Sequence, residues 1–293
     1  MSAVLAASIT TVIVGFSAIA TKVAIAEIGP AALGMMRYGL AALCLTPMAM
    51  AARRWMSLRD LPWIALLGVA QFGLIVFLFN SALEHVTPAR AMVILSTTPL
   101  WAMVIQVLRG REPLDGMRVV AVALCIFGVT ACVWEGGRAI GEPVVTPGDL
   151  MVLAAAVIGA LCSIGFKPFT ARVGASAMTY VALVAAVAAL AVATPFDPVP
   201  LSAGISPEAL AMVIVLGVGS AIAFWLWLWV LGRSDASVAV AFLGAAPVAT
   251  AVFEIAIFGR MIDAPVVVGI LSVTIGLTLL GRTVLRVEEQ PAL

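Results

Sequence analysis

The stretch Leu83–Pro99, LEHVTPARAMVILSTTP, returns 148 residues later as Leu231–Pro247, LGRSDASVAVAFLGAAP. Leu83, Ala91 and Pro99 are matched by Leu231, Ala239 and Pro247 without a gap, and the same register carries Asp115 and Gly128 onto Asp263 and Gly276. Each copy reads as an apolar helix with a proline midway, a charged hairpin, and a second apolar helix with a late glycine. An apolar helical module that recurs at a fixed offset points to a membrane protein built from structural repeats, and such folds place a solute between the halves.

The composition around the repeat agrees. The chain is 63% hydrophobic and 11% charged, whereas a soluble domain carries about 25% charged residues. Its net charge of +1 gives no basis for nucleic-acid binding. One histidine and four cysteines (Cys44, Cys125, Cys132, Cys162) offer no metal-ligand spacing, so neither a metal nor a cofactor is expected. All four cysteines fall in apolar runs and read as buried, inert thiols. The N-terminal apolar run is too long for the core of a signal peptide and reads as a first span.

About 20 apolar residues are needed to cross the hydrocarbon core. Ten segments meet that length: 3–26, 31–52, 61–84, 88–109, 115–134, 148–167, 175–194, 208–231, 236–258 and 264–284. The expected fold is therefore all-α, with ten transmembrane helices in two five-helix repeats: residues 1–134, then an external linker at 135–147, then 148–293 with a short cytoplasmic tail. With the N-terminus inside, Arg53, Arg54, Arg59, Arg109, Arg111, Arg118, Lys167, Arg172, Arg233, Arg282 and Arg286 lie on the cytoplasmic side. Arg90, Arg138 and Arg260 lie outside, and this bias places both termini in the cytoplasm. Five is an odd number, so the second repeat enters the membrane upside down relative to the first. Such inverted halves can exchange conformations and so alternate access.

Charges within spans need an explanation, since each costs about 2.5–3.5 kcal/mol at the bilayer centre. Lys22 and Arg37 lie near the outer ends of spans 1 and 2, where they either snorkel to headgroups or line an outer vestibule. In the second case they pair with Glu27 or Glu84, or attract a solute carboxylate. Glu84 and His85 read as interfacial, and Glu254 as a partner for Arg260. No Asp or Glu falls near the middle of any span, which disfavours lipophilic cations and a central carboxylate proton relay. Uncharged polar groups do reach the middle: Gln71, Asn80 and Ser81 on span 3, Thr97 and Thr98 on span 4, Ser163 on span 6 and Ser220 on span 8.

Pro99 and Pro247 each remove a backbone donor in mid-helix and free a carbonyl four residues earlier, at Leu95 and Leu243. Paired kinks at equivalent depth would shape the gating helices. Trp55, Trp63 and Trp134 suit the membrane interface, while Phe16, Trp101 and Trp225 are candidate apolar contacts for a solute. Trp225, Trp227 and Trp229 alternate along one helix, so at most one or two of them share a face.

Taken in order, these residues resemble the drug/metabolite transporter superfamily, specifically its ten-span EamA-type branch of metabolite and amino acid exporters. Gly15-Phe16 through Lys22 resembles the first-span motif, and Pro30 with Arg37 the second. Asn80-x-Ala-Leu, Thr87, Ala91 and Pro99 resemble the signature of spans 3 and 4, with Glu112 as the acidic residue of the next hairpin. Leu231, Ala239, Pro247 and Gly276 form the second copy. Val14 stands where a Trp is usual, and Arg260 where the second hairpin often has Glu. The resemblance covers nearly the whole chain. It implies an inner-membrane exporter of small metabolites with a cavity formed mainly by spans 1, 3, 4, 6, 8 and 9. Close relatives in this branch export aromatic amino acids.

The expected activity is export of amino acids, large neutral or aromatic ones, by alternating access. Lys22, Arg37 and Tyr38 would face the carboxylate near the outer opening, and Gln71, Asn80, Thr97, Thr98 and Ser163 would supply hydrogen bonds. Another small polar or phosphorylated solute on the same fold is the nearest alternative, although polyanions want more cations at mid-membrane than this chain offers. An intramembrane enzyme lacks paired carboxylates or a His/Cys/Asp constellation. A scaffold or sensor lacks a soluble domain. Proton-coupled export and passive exchange both fit, and the oligomeric state is left open.

Overall fold

The structure, a computed structural model, describes residues 3–51, 57–111, 115–133, 145–199, 204–231, 245–259 and 261–288. Their regular structure is helical throughout, as a lipid environment requires of a chain that does not close into a barrel. The α-helices in order are α1 (Ala3–Ala24), α2 (Pro30–Ala51), α3 (Leu61–Gly68), α4 (Ile75–Ala82), α5 (Pro88–Leu95) and α6 (Thr98–Leu108). Then follow α7 (Gly116–Val133), α8 (Pro147–Val173), α9 (Ala175–Ala193), α10 (Pro207–Leu231), α11 (Ala246–Phe258) and α12 (Ala264–Glu288). A π-helical turn at Val69–Leu74 joins α3 to α4 within one span. Among the described residues, eight spans are long and apolar enough to cross a membrane. Two shorter apolar helices, Ser8–Ala24 and Ala246–Phe258, lie within the expected spans 3–26 and 236–258. Arg53, Arg54, Trp55, Glu112, Trp134, Arg138, Arg233, Ala239, Leu243 and Arg260 lie outside the described residues, as do the side chains of Trp227, Trp229, Leu231, Arg282 and Arg286.

The repeat survives at the level of backbone angles. Thr97 (φ −75°, ψ −1°) and Ala245 (φ −86°, ψ −7°) stand 148 residues apart, each directly before a half-helix with Pro99 or Pro247 in its first turn. α7 and α12 begin at Gly116 and Ala264, again 148 apart. The expected kink at Pro99 is a full break, because α5 stops at Leu95 and α6 starts at Thr98. The Thr98 hydroxyl takes the place of the amide donor that Pro99 lacks, while those of Ser96 and Thr97 join amides already bonded to their carbonyls. Ser96 donates to the Met92 carbonyl at 2.7 Å, Thr97 to Ile94 at 2.6 Å and Thr98 to the carbonyl of Leu95 at 2.7 Å.

The packing of α7 on α12 shows the inversion directly. A Cβ built on Gly128 would lie 2.8 Å from Val273 and 2.9 Å from the Gly269 carbonyl. One built on Gly276 would lie 2.7 Å from Cys125 and 2.9 Å from the Ala121 carbonyl. Under the 148-residue offset these two sets of contacts exchange, which is the signature of a pseudo-two-fold axis. Residue numbers rise along α7 as they fall along α12, so the helices run antiparallel. Gly128→Val and Gly276→Val are each expected to cost about 1–3 kcal/mol through overpacking. Gly39→Ala, at a site with no neighbour within 4 Å, should be neutral or stabilising. Unfolding in detergent, followed by circular dichroism, distinguishes the three.

Four helices begin on one face of the bundle, each with proline at its first position: Pro30, Pro88, Pro147 and Pro207. Carboxylates satisfy the exposed amides of this proline face. Asp197 accepts from the Ala31 and Ala32 amides at 3.0 and 2.8 Å. Glu27 accepts from the Ser206 amide and hydroxyl, both at 2.9 Å. Glu254 accepts from the Ala89 amide at 2.8 Å. Asp149 accepts from the Thr146 amide and hydroxyl, both at 2.7 Å.

Two expectations change here. Glu27 spends both oxygens on Ser206 rather than on Lys22 or Arg37, and the Ser206 amide and hydroxyl hold its carboxyl below the usual range. Arg90, expected on the non-cytoplasmic side with no partner named for it, is fully buried in a two-pronged pair with Asp149, at 2.7 Å from Nε and 2.6 Å from Nη2.

Candidate functional site

α1, α10 and α11 line a half-open cavity of about 240 Å³. The close approach starts at Gly15, where a Cβ would fall 2.6 Å from that of Ala249. The Thr250 hydroxyl bonds both the Gly15 and Ala246 carbonyls, at 3.2 and 3.1 Å. One residue on, Phe16 meets Phe253 edge-to-face, with centroids 5.2 Å apart at 76°. Val12, Ile13, Val215, Leu216 and Gly219 complete an apolar wall broken by the hydroxyls of Ser17 and Ser220.

Arg37 joins this cavity through Ser220. Its Nε donates to the Ser220 Oγ at 2.7 Å, and its guanidinium carbon lies 5.3 Å from the Tyr38 ring centre. Tyr38 is buried beside Phe72 and Phe224, at 5.7 and 6.2 Å between centroids. Phe72 comes from the π-helical turn, a distortion often found at functional positions. Among the described residues no carboxylate pairs with Arg37.

A second group of expected residues lies along α8. Thr98 packs against Gly159, one turn before Ser163, and Ile75 lies at the same place. Ser163 is exposed and donates to the Gly159 carbonyl at 2.8 Å. Two buried polar atoms close in sequence to this contact, Gln71 Oε1 and Trp101 Nε1, have no hydrogen-bond partner. Each orphan costs about 1–3 kcal/mol, which a solute or water hydrogen bond would relieve. Thr97 is buried and bonds its own helix.

The remaining expected residues go elsewhere. Asn80 donates to the Pro30 carbonyl at 2.9 Å, tying span 3 to span 2, and leaves its buried Oδ1 without a partner. Lys22 donates to the Leu83 carbonyl. Trp225 is 46% exposed and continues the lipid-facing stripe of Leu210, Ile214, Val218 and Ile222 along α10, so it is removed from the cavity wall. Cys125, Cys132 and Cys162 are buried, whereas Cys44 is exposed, contrary to expectation. Among the described residues no group of three or more His, Cys, Asp or Glu gathers as a metal site.

The sequence profile of the EamA-like transporter family matches residues 1–134 and 146–282. The chain belongs to the EamA-like transporter family. A solved crystal structure of a protein shares this fold, with a TM-score of 0.67 over 98% of this chain and 99% of its own, at 21% identity. No curated protein sequence matches. As a multi-pass EamA-like membrane transporter, the chain needs a small-molecule path through the bilayer. The cavity beside Phe16 and Arg37 lies at mid-length of α1 and α10, as such a path requires. Phe253 escaped the sequence reasoning because one apolar residue in an apolar helix carries no signal of direction.

Proposed function

We propose that this transporter exports large neutral or aromatic amino acids from the cytoplasm across the inner membrane by alternating access, with both termini cytoplasmic. The observation that carries the proposal is a guanidinium with no carboxylate partner among the described residues, held by Ser220 at the edge of an aromatic-lined cavity. Arg37 matches a carboxylate in geometry and charge. Phe16 and Phe253 offer edge and face to a bulky side chain. Among the described residues, Arg37 is the cation at this cavity, and one cation suits a monocarboxylate better than a polyanion.

The test is efflux of radiolabelled phenylalanine and threonine from preloaded proteoliposomes, with and without an imposed pH gradient. Phenylalanine should leave faster than from empty vesicles and faster than threonine. Efflux equal to that of empty vesicles across a broad amino acid panel would refute the substrate class. Dependence on the gradient separates proton coupling from passive exchange.

A further inference from the structure

The turn that joins the third and fourth spans, Leu83–Thr87, is gripped at both ends. Lys22 of α1 donates to the Leu83 carbonyl, directly after α4. The Glu254 carboxylate of α11 accepts from the Ala89 amide in the first turn of α5. The signs match the helix dipoles: a cation sits at a C-terminal end and an anion at an N-terminal end. Leu83, Ala89 and Glu254 are all buried and Lys22 is partly buried, so water competes little for the Glu254 contact.

The other contacts of the turn attach it to α8. Arg90 pairs with Asp149, and a Cβ on Gly148 would lie 2.9 Å from the Ala82 carbonyl. Packing changes along the fourth span. α5 packs chiefly on α8 and α11 and touches α1, α7 and α12 less, whereas α6, beyond the break at Ser96-Thr97, packs chiefly on α8. The groups containing spans 3, 4 and 6 and spans 1 and 9 are thus joined at the proline face through this turn, with a broken helix behind it.

We infer that the Leu83–Thr87 turn is a gate at the proline face, held shut by Lys22 and Glu254. Releasing both contacts lets the turn, α5 and the start of α8 move away from α1 and α11 as a unit. The inference rests on the transport proposal and adds to it which face the structure holds closed and which two side chains hold it. It also assigns Lys22 to the gate rather than to solute.

Spin labels at His85→Cys and Met261→Cys, both exposed, report the distance across the gate. A pair at His85→Cys and Val145→Cys stays within one moving group and serves as control. The background is Cys44→Ser, the other thiols being buried. Distances are measured by pulsed electron resonance in lipid nanodiscs. Lys22→Met and Glu254→Ala should each raise the ratio of long to short distances across the gate about tenfold, the effect of losing one charge-assisted hydrogen bond. The control distance should not change. Glu254→Gln retains an acceptor for the Ala89 amide and should restore most of the closed population.

Unchanged distances across the gate in Lys22→Met and Glu254→Ala would overturn the inference, as would equal widening of the control pair. Should Glu254→Ala fail to fold, Lys22→Met decides alone by the same criteria. No solute is needed for this readout, so a negative amino acid flux result leaves the gate standing, and a negative gate result leaves the substrate class standing.

Discussion

Arg90→Met is expected to destabilise the protein by about 3–5 kcal/mol, the usual cost of removing one partner from a buried ion pair. The side chains of Arg90 and Asp149 are 1% and 4% exposed, and two parallel hydrogen bonds of 2.7 and 2.6 Å join them. Without the guanidinium, the Asp149 carboxylate keeps only the Thr146 amide and hydroxyl. The double variant Arg90→Met/Asp149→Leu removes both charges together. It should recover most of the loss, short of about 1 kcal/mol for the missing cap on α8. Unfolding midpoints in detergent for the two single variants and the double variant measure this coupling. Equal stability of Arg90→Met and the wild-type protein would show that water reaches the pair.

Arg90 also marks where sequence stops and packing begins. Its place at the end of a span follows from the run of apolar residues after it, which is a one-dimensional property. Its burial depends on Asp149, 59 residues away, and no periodicity announces that meeting. Thr146-x-x-Asp149 is legible as a capping box, yet the same carboxylate serves a second purpose that only the fold reveals. What the sequence does carry is whatever repeats or costs energy locally. The 148-residue register predicts the matching starts of α7 and α12 and the shared half-helix at Pro99 and Pro247. Gly128 and Gly276 read as a matched pair because both serve one symmetric interface.

The site was legible in the same uneven way. Arg37 stands out because a charge in a span needs a reason, and Phe16 because it falls within a resembling motif. Ser220 was visible as a polar residue, but its role as the holder of Arg37 was not. Trp225 was misplaced for a physical reason. α10 is apolar on every side, so its sequence does not reveal which face meets lipid. Glu27 was assigned to cations by proximity in sequence, whereas the structure gives it to Ser206; Glu254 gives one oxygen to the Ala89 amide, and its expected partner Arg260 lies outside the described residues. Helix starts need acceptors as much as cations need anions, and that demand is invisible until the ends are placed side by side.

Arg37→Gln is expected to lower phenylalanine efflux at sub-saturating load on the order of 10- to 100-fold, the value of a charge-assisted contact to a carboxylate. Protein yield and stability should hold, because among the described residues no carboxylate loses its partner when Arg37 is neutralised. Arg37→Lys should fall between the two, since an ammonium keeps the charge but cannot present two parallel donors. Ser220→Ala should weaken efflux less than Arg37→Gln, because it frees the guanidinium without removing it. The decisive comparison is the solute lacking its carboxylate. The wild-type protein should favour phenylalanine over phenethylamine, since a site built for a carboxylate is left with an unpaired cation when that group is absent. In Arg37→Gln that preference should collapse. If the variant keeps the wild-type ratio between the two solutes while both fluxes fall together, Arg37 supports the bundle and the carboxylate binds elsewhere.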